Sequence, residues 1–321
     1  MRVAVVGAGL AGLTAAGDLT AAGHKVTIFD KGRSPGGRMA TRRIGNATID
    51  HGAQFFTVRS DEFGARIAPH LESGLVYEWC RGFSTNGDGY PRYAVCGGMN
   101  MLTKSMAAGL DVRCNSMVFS ISSGSTAATR GSGWQVTLDD GTALDADAVI
   151  VTCPLPQSYS LLMPAGVDLP EQLVRADYDR TIAALITLNG SPVVPEPGGI
   201  QNPNADLSFV VDNQRKGVSA APALTVHANA EWSLGHWDDP LADLATALTS
   251  AAADFIGAAD VVELQVKKWR FATPRSVWDD PCWIEPHTAG SLIVAGDAFA
   301  GPKVEGAVRS GAAAATALLA N

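Results

Sequence analysis

The residues best placed to do chemistry are the glycines of Gly7-Ala8-Gly9-Leu10-Ala11-Gly12. They follow the apolar run Val3–Val6, so a short buried strand turns into a helix through G-x-G-x-x-G. The first glycine permits the tight turn, the second lets a pyrophosphate approach the backbone, and the third lets the helix pack close to the strand. The helix N-terminus offers unpaired N–H groups and a positive dipole end to the same anion. A helical stretch over Leu13–Ala22, then Gly23 and a second strand over Lys25–Phe29, lead to Asp30, an acid placed to accept from adenosine ribose hydroxyls. The pattern is that of a dinucleotide binder, with Gly7, Gly9, Ala11, Gly12, Asp30 and Lys31 around the ligand.

NAD and FAD share this motif, and the segment that follows argues for FAD. Gly36-Gly37-Arg38 can lie along a diphosphate, with Gly37 approaching closely and Arg38 supplying charge. Lys31, Arg33, Arg38, Arg42 and Arg43 form a basic cluster in a chain of net charge −8. Arg33 and Arg43 taken singly read as solvated surface residues.

The G-x-G-x-x-G…Asp arrangement followed by G-G-R-x-x-T resembles the flavin amine oxidase superfamily, built on the p-hydroxybenzoate-hydroxylase type of FAD fold. Three further segments fit that resemblance. Asp50-His51-Gly52-Ala53-Gln54-Phe55-Phe56 is similar to a D-x-G-A-Q-aromatic stretch of the renalase branch. Asp147–Pro154 is similar to the strand and Pro-containing turn that return to the dinucleotide. Val294-Ala295-Gly296-Asp297 with Val304-Glu305-Gly306-Ala307 is similar to the C-terminal FAD signature. The resemblance implies that Asp297 meets the ribityl–diphosphate region and that the helix after it points its N-terminus at the flavin ring. It adds Gln54, Val118, Glu305, Gly306 and Ala307 to the expected FAD contacts. Short length, the Gly-Ala-Gln-Phe-Phe segment and Trp269-Arg270 make the chain most like renalase and its bacterial relatives, which stay in the cytoplasm.

Composition agrees with an ordinary globular protein. The 321 residues are long for one core, so two domains are expected. Hydrophobic residues make up 46% and charged ones 17%, the acidic balance gives no support for nucleic-acid binding, and no apolar run approaches the roughly 18–20 residues that span a bilayer. The N-terminus reads as a strand rather than a signal peptide. The five cysteines (Cys80, Cys96, Cys114, Cys153, Cys282) are odd in number and lack C-x-x-C spacing, which argues against a disulfide framework, a zinc site or a dithiol motif, so no metal is expected. Cys282 lies between Pro281 and Trp283, only 15 residues before Asp297, and reads as structural, with the FAD non-covalent.

The elements that must position these residues interleave. The expected class is α/β: a Rossmann-type FAD domain with an α+β substrate domain built on an antiparallel sheet. The FAD domain is expected over 1–58, 97–156 and 286–321, and the substrate domain over 59–96 and 157–285. Helices are expected over Glu62–Glu72, from Asn100 (a cap) to Ala108, and over Gly306–Ala320. Strands are expected over Asp111–Cys114, Val118–Ser122, Trp134–Leu138, Ala143–Leu144, Ala148–Thr152 and Leu292–Ala295, with a hairpin turn at Asp139-Asp140-Gly141 and a small-residue loop over Ser123–Gly133.

The substrate side is carried by fewer signals. A flavin oxidase leaves the hard chemistry to the cofactor, and the protein orients the donor. Trp232, Trp269, Phe271 and Trp278 are candidate aromatic walls, each also readable as core, and the resemblance puts Trp269 in front of the flavin. His227 and Asn213 match stretches of the bacterial relatives, as does Trp232, and His227 and Asn213 could fix a carboxamide; the plainer alternatives are a core histidine and a turn asparagine. His24, His70 and His287 look like surface positions. The resemblance implies oxidation of 6- or 2-dihydro isomers of NAD(P), a small-molecule donor, with O2 as acceptor and hydrogen peroxide as product. A flavin amine oxidase, an FAD-dependent desaturase or isomerase, and a non-catalytic FAD sensor are the alternatives. No nucleic acid or membrane partner is expected.

Overall fold

In the computed structural model, residues 1–83, 89–124, 133–287 and 291–320 are described. The chain begins β1 (Arg2–Val6), α1 (Leu10–Ala21), β2 (Lys25–Phe29), β3 (Thr41–Ile44), β4 (Ala47–Asp50), α2 (Asp61–Glu72), β5 (Val76–Cys80), β6 (Arg92–Val95) and α3 (Asn100–Met106). It continues β7 (Asp111–Arg113), β8 (Val118–Gly124), β9 (Gly133–Leu138), β10 (Ala143–Ala146), β11 (Ala148–Val151), α4 (Leu155–Leu162) and α5 (Glu171–Val174). Then come β12 (Tyr178–Leu188), β13 (Gly199–Gln201), β14 (Leu207–Asp212), β15 (Ala223–Ala228), α6 (Ala230–Gly235), α7 (Leu241–Ala251), α8 (Ala253–Ile256) and β16 (Val261–Pro274). The last elements are β17 (Trp283–Ile284), β18 (Leu292–Val294) and α9 (Lys303–Leu319).

Two compact units divide these elements: residues 1–37, 103–177 and 274–321 form the first, and 38–102 and 178–273 the second. The first holds a sheet ordered β17-β18-β11-β1-β2-β7, parallel from β18 through β7, with β17 antiparallel at the edge. Its strands are apolar on both faces (Val5, Ile28 and Ile150 on one, Val6, Phe29 and Val151 on the other, all buried), as a parallel sheet covered on both sides requires. Alanine- and glycine-rich α1 and α9 cross closely: a Cβ at Gly311 would lie 2.2 Å from the Ala11 carbonyl oxygen. An antiparallel meander β8-β9-β10 completes the unit, closed by the expected Asp139-Asp140-Gly141 turn, where Gly141 takes φ +85°. Residues 125–132 of the expected Ser123–Gly133 loop lie outside the described residues.

The second unit is built on the sheet β13-β14-β15-β12-β16, antiparallel at β13–β14, β14–β15 and β12–β15. Strand alternation gives its two faces different jobs. Ile182, Ala184, Leu224, Val226 and Ala228 face α7 and α8 through Leu244, Leu248, Ala252 and Ile256. Ala183, Leu185 and Ala223 face the β3–β4 hairpin through Ile44, Ala47 and Ile49. That packing draws 38–58 into the second unit, whereas the FAD domain was expected to keep it. Residues 157–177 and 274–285 fall in the first unit, where β17 pairs with β18. Asn100 is the first residue of α3 rather than its cap, and its N–H donates to Thr41 Oγ1 at 3.1 Å.

Candidate functional site

In the first unit the backbone makes the site. Gly7 sits at φ +107° and donates to the Phe29 carbonyl, which closes the turn at the end of β1. A Cβ at Gly12 would lie 2.0 Å from the Gly7 carbonyl oxygen, so the close strand–helix packing needs glycine there. Gly9 differs: at φ −81° its Cβ direction meets nothing within 4 Å, so open space lies in front of the α1 N-terminus. That opening is the observation by which these residues fit a dinucleotide. Gly37, at φ +52°, would bring a Cβ to 3.5 Å from the Gly9 Cα, so the second glycine pair adjoins the same turn.

Asp30 does more than await a ribose. Oδ2 accepts from Ala8 N–H and Oδ1 from Gly32 N–H, both at 2.6 Å, so the carboxylate ties the glycine turn to the loop after β2. Each oxygen keeps a second acceptor direction for a hydroxyl. Lys31 is exposed, Ala11 is buried in α1, and Val118 is buried at the head of β8. Asp297 is buried in the turn between β18 and α9, where Gly296, at φ +146°, donates to Ser310 Oγ. In the first turn of α9, Glu305 and Ala307 are half-buried, and a Cβ at Gly306 would lie 1.7 Å from the Gly301 carbonyl oxygen. Lys303 opens this helix at φ +84°, a conformation that a non-glycine residue holds only where its surroundings enforce it. The buried Cys282 thiol is pushed up to about 11 and Cys153 to about 12, both mainly by burial, which keeps them protonated and poorly nucleophilic.

In the second unit side chains make the site. On β15, Ala223, Thr225 and His227 share the face opposite Leu224 and Val226; on β16, Gln265, Lys267 and Trp269 alternate with the core-packed Leu264 and Val266. Trp269 and His227 converge on one atom, the carbonyl oxygen of His51. Trp269 Nε1 donates to it at 2.8 Å, and His227 Nε2 lies 3.2 Å away. A carbonyl only accepts, so His227 carries its proton on Nε2. The His51 and Trp269 rings stack, with centroids 5.3 Å apart. Burial lowers both histidines to about 4; the charges of Lys267, His227 and Arg42 add to this at His51, and that of Lys216 at His227. Both rings are therefore neutral at neutral pH.

Beneath this cluster lies an ion pair absent from the sequence-based site. Lys216 Nζ meets Asp50 Oδ2 at 2.8 Å with both side chains fully buried. Asp50 Oδ1 accepts from Thr41 Oγ1 at 2.5 Å and Met99 N–H at 2.8 Å. Lys216 Nζ also approaches Gln54 Oε1 at 3.5 Å and lies over the Trp79 ring, and its carbonyl accepts from Tyr77 OH. Burial lowers the Lys216 pKa, and the Asp50 charge opposes that shift.

Several expected contacts are engaged elsewhere. Gln54 donates through Nε2 to the carbonyls of Asp50 (2.7 Å) and Gly52 (3.2 Å), so its amide braces its own loop rather than reaching a cofactor. Asn213 donates to Thr225 Oγ1 at 2.9 Å and accepts from Asp50 N–H at 3.2 Å, fully buried; it secures β4 rather than a substrate carboxamide. Trp232 lies on the other face of the sheet, on α6, packed against the Ile182–Ala184 side and stacked on His236 at 4.2 Å. The sheet separates it from Trp269. Arg38 Nη1 donates to the carbonyls of Phe271 and Ala272, both at 3.3 Å, so part of its guanidinium holds β16. A buried Asp–Lys pair was the residue-level signal missed: Asp50 and Lys216 lie 166 residues apart, and neither neighbourhood marks the other as its partner.

Among the described residues no three His, Cys, Asp or Glu side chains are placed to hold a metal ion, and no helix is long and apolar enough to cross a membrane.

Comparisons with known proteins bear on both units. Residues 5–66 match the model of the NAD(P)-binding Rossmann-like domain, and residues 83–319 match that of the flavin containing amine oxidoreductases. Hydroxyneurosporene desaturase of Rubrivivax gelatinosus is 44% identical over 77 residues, 22% of this chain and 15% of the desaturase. A 4,4'-diapophytoene desaturase of Staphylococcus haemolyticus is 52% identical over 78 residues, 22% of this chain and 16% of that protein. The chain thus spans under a fifth of the length of these curated relatives. A putrescine oxidase solved with putrescine bound superposes with a TM-score of 0.73 at 16% identity, covering 100% of both chains, and so shares the fold. With the family model matched over most of its length, the chain belongs to the flavin containing amine oxidoreductases, and its cofactor is FAD.

Proposed function

We propose that this protein is an FAD-dependent oxidase whose electron donor is a dihydronicotinamide dinucleotide of the 6- or 2-dihydro type, as in the renalase branch. The observation that carries the reading is the Trp269–His51–His227 cluster: aromatic, electrically neutral and flanked by cations. A small amine arrives as an ammonium and needs an anionic partner or an aromatic cage free of neighbouring cations. Here the Asp50 carboxylate is already held by Lys216, Thr41 and the Met99 N–H, and the charges acting on His51 come from Lys267 and Arg42. A neutral ring carrying an anionic diphosphate suits that environment better.

Gly7, Gly9, Gly12, Gly37 and the α1 N-terminus would hold the diphosphate of FAD, Asp30 the adenosine ribose, and Asp297 with the start of α9 the ribityl–flavin end. The chemistry that FAD supplies when bound is acceptance of two electrons from the donor and their transfer to O2, which yields hydrogen peroxide. The chain's own part is positional. Trp269 is fixed by its bond to the His51 carbonyl and supplies one face for the donor ring. A rigid face selects which ring carbon comes within the roughly 3–3.5 Å that hydride transfer needs. All five cysteines are free, which suits a cytoplasmic setting.

The test is anaerobic reduction of the purified yellow protein. The 2- and 6-dihydro isomers are expected to bleach the flavin rapidly, with the ordinary 4-dihydro form and putrescine slow or inert. Trp269→Ala is expected to slow bleaching at least tenfold while FAD stays bound. Rapid bleaching by putrescine and none by the isomers replaces this reading with an amine oxidase.

A further inference from the structure

One buried nitrogen in the second unit is left over when the contacts of the cluster are assigned. His51 Nδ1 is shut from solvent and meets no donor or acceptor, although the residue as a whole is only half-buried. Buried polar atoms without partners are uncommon, because their desolvation goes uncompensated. The backbone and the ring plane of His51 are held. Its carbonyl receives Trp269 Nε1 and His227 Nε2, and its ring stacks on the indole. The residue before it is gripped from several sides: Asp50 bonds Lys216, Thr41 and Met99 through its carboxylate, and Thr225 and Gln54 through its carbonyl.

The charged surroundings follow from register. Arg42 pairs with Ile49 and Ile44 with Ala47, so these four share the hairpin face that meets the sheet, and His51 continues the Ala47–Ile49 side of β4. Lys267 stands two residues before Trp269, on the same side of β16. The ring edge therefore has two cations near it.

We propose that His51 is the specificity residue of the donor site, and that its unpartnered Nδ1 recognises a primary carboxamide carried on a planar ring. This rests on the dihydronicotinamide reading above. A neutral imidazole has one donor and one acceptor nitrogen, and the tautomer decides which is Nδ1. A primary carboxamide offers both a C=O and an NH2, so it complements either. A half-turn about χ2 exchanges Nδ1 with Cδ2 without breaking the stack, which carries the nitrogen from its closed edge to the opposite edge of the ring. An ammonium complements only an acceptor nitrogen and is repelled by Arg42 and Lys267, whereas a diphosphate on the same donor is attracted by them.

The test uses the FAD-loaded protein and titration calorimetry with two probes: NAD+ and its analogue in which the ring carboxamide is replaced by hydrogen. His51→Phe keeps a ring for the stack and removes both nitrogens. His51→Asn removes the ring and restores a donor and an acceptor. Wild type is expected to bind NAD+ at least tenfold tighter than the analogue. His51→Phe is expected to lose that preference and bind both as wild type binds the analogue. His51→Asn is expected to recover part of it, with FAD content and donor-free flavin absorbance equal in all three. A preference retained in His51→Phe overturns the proposal. So does a changed flavin absorbance in donor-free His51→Phe, which makes the flavin the partner of Nδ1. Failure of the underlying reading looks different: wild type then binds neither dinucleotide and is not reduced by the dihydro isomers, and the proposal falls with it.

Discussion

On the proposed reading the first unit would receive its ligand on backbone and the second on side chains, and the two are expected to respond differently to change. Around β1 and α1 the working parts are N–H groups, a helix end and glycines that keep Cβ atoms out of the way. Around β4, β15 and β16 they are an indole, two imidazoles and a buried ion pair drawn from segments as far apart as residues 50 and 269. A backbone cradle has few degrees of freedom but no tolerance for an added methyl. A side-chain cluster tolerates volume better but depends on every partner staying charged or neutral as its neighbours require.

The sharpest break of this contrast comes from two glycines three residues apart. Gly12→Ala drives a methyl to 2.0 Å from the Gly7 carbonyl oxygen and is expected to cost roughly 4 kcal/mol or more, or to prevent folding. Gly9→Ala meets nothing within 4 Å and keeps an allowed φ of −81°, so its stability is expected to stay within about 1 kcal/mol of wild type. Its FAD content should nevertheless fall, because the methyl fills the space in front of the α1 N-terminus. Urea melts and flavin content measured on both variants check this; a Gly9→Ala protein as yellow as wild type shows that the diphosphate lies elsewhere.

The same contrast explains what could be read from the chain beforehand. Glycine spacing is a local record of backbone geometry, so β1, α1 and β2, together with Gly7, Gly12 and Gly306, were legible. The parallel sheet followed from apolar strands joined by a helix. Asp50 and Lys216 were not, because a buried ion pair is a property of two distant segments meeting. Trp232 and Trp269 were both visible as aromatics, but only the register of β16 and the placement of α6 reveal that the sheet lies between them. Asn213 and Gln54 sat in suggestive motifs, and their amides turn out to brace Asp50 and its loop.

In the second unit the largest effect is expected from Lys216→Met, which leaves the fully buried Asp50 carboxylate without its counter-charge. Removing one partner of such a pair costs roughly 3–5 kcal/mol. Adding Asp50→Asn should recover part of the loss, since the amide oxygen can still accept from Thr41 and Met99 and no bare charge remains. Denaturant midpoints of the single and double variants decide it; a double variant no better than Lys216→Met means that the pair is not what makes the site stable.

A smaller and purely ligand-directed effect is expected in the first unit. Asp297→Ala removes a carboxylate from the turn before α9. Losing a charge-assisted hydrogen bond is worth roughly 1.5–3 kcal/mol, about one to two decades of FAD affinity. The variant should fold and purify mostly without flavin. Full occupancy would reduce Asp297 to a residue that flanks a helix.

The last effect appears only in acid, and it should be confined to the histidine side. His51 and His227 titrate at about 4 in the folded protein against about 6.5 in an unfolded chain. Between those values the unfolded state binds more protons, so stability rises with pH across the window. The contribution is complete above about 6.5 and is lost as pH falls through about 4. Each histidine adds at most about one proton to the slope. A His51→Asn, His227→Gln double variant should therefore lose stability between pH 6.5 and 4 less steeply than wild type, by up to about two protons. The side-chain amides can still hydrogen-bond but do not titrate, so the two curves should run parallel above pH 7. Equal slopes in the acid range would mean that the two rings are not held neutral by burial, and the neutrality on which the donor argument depends would go with them.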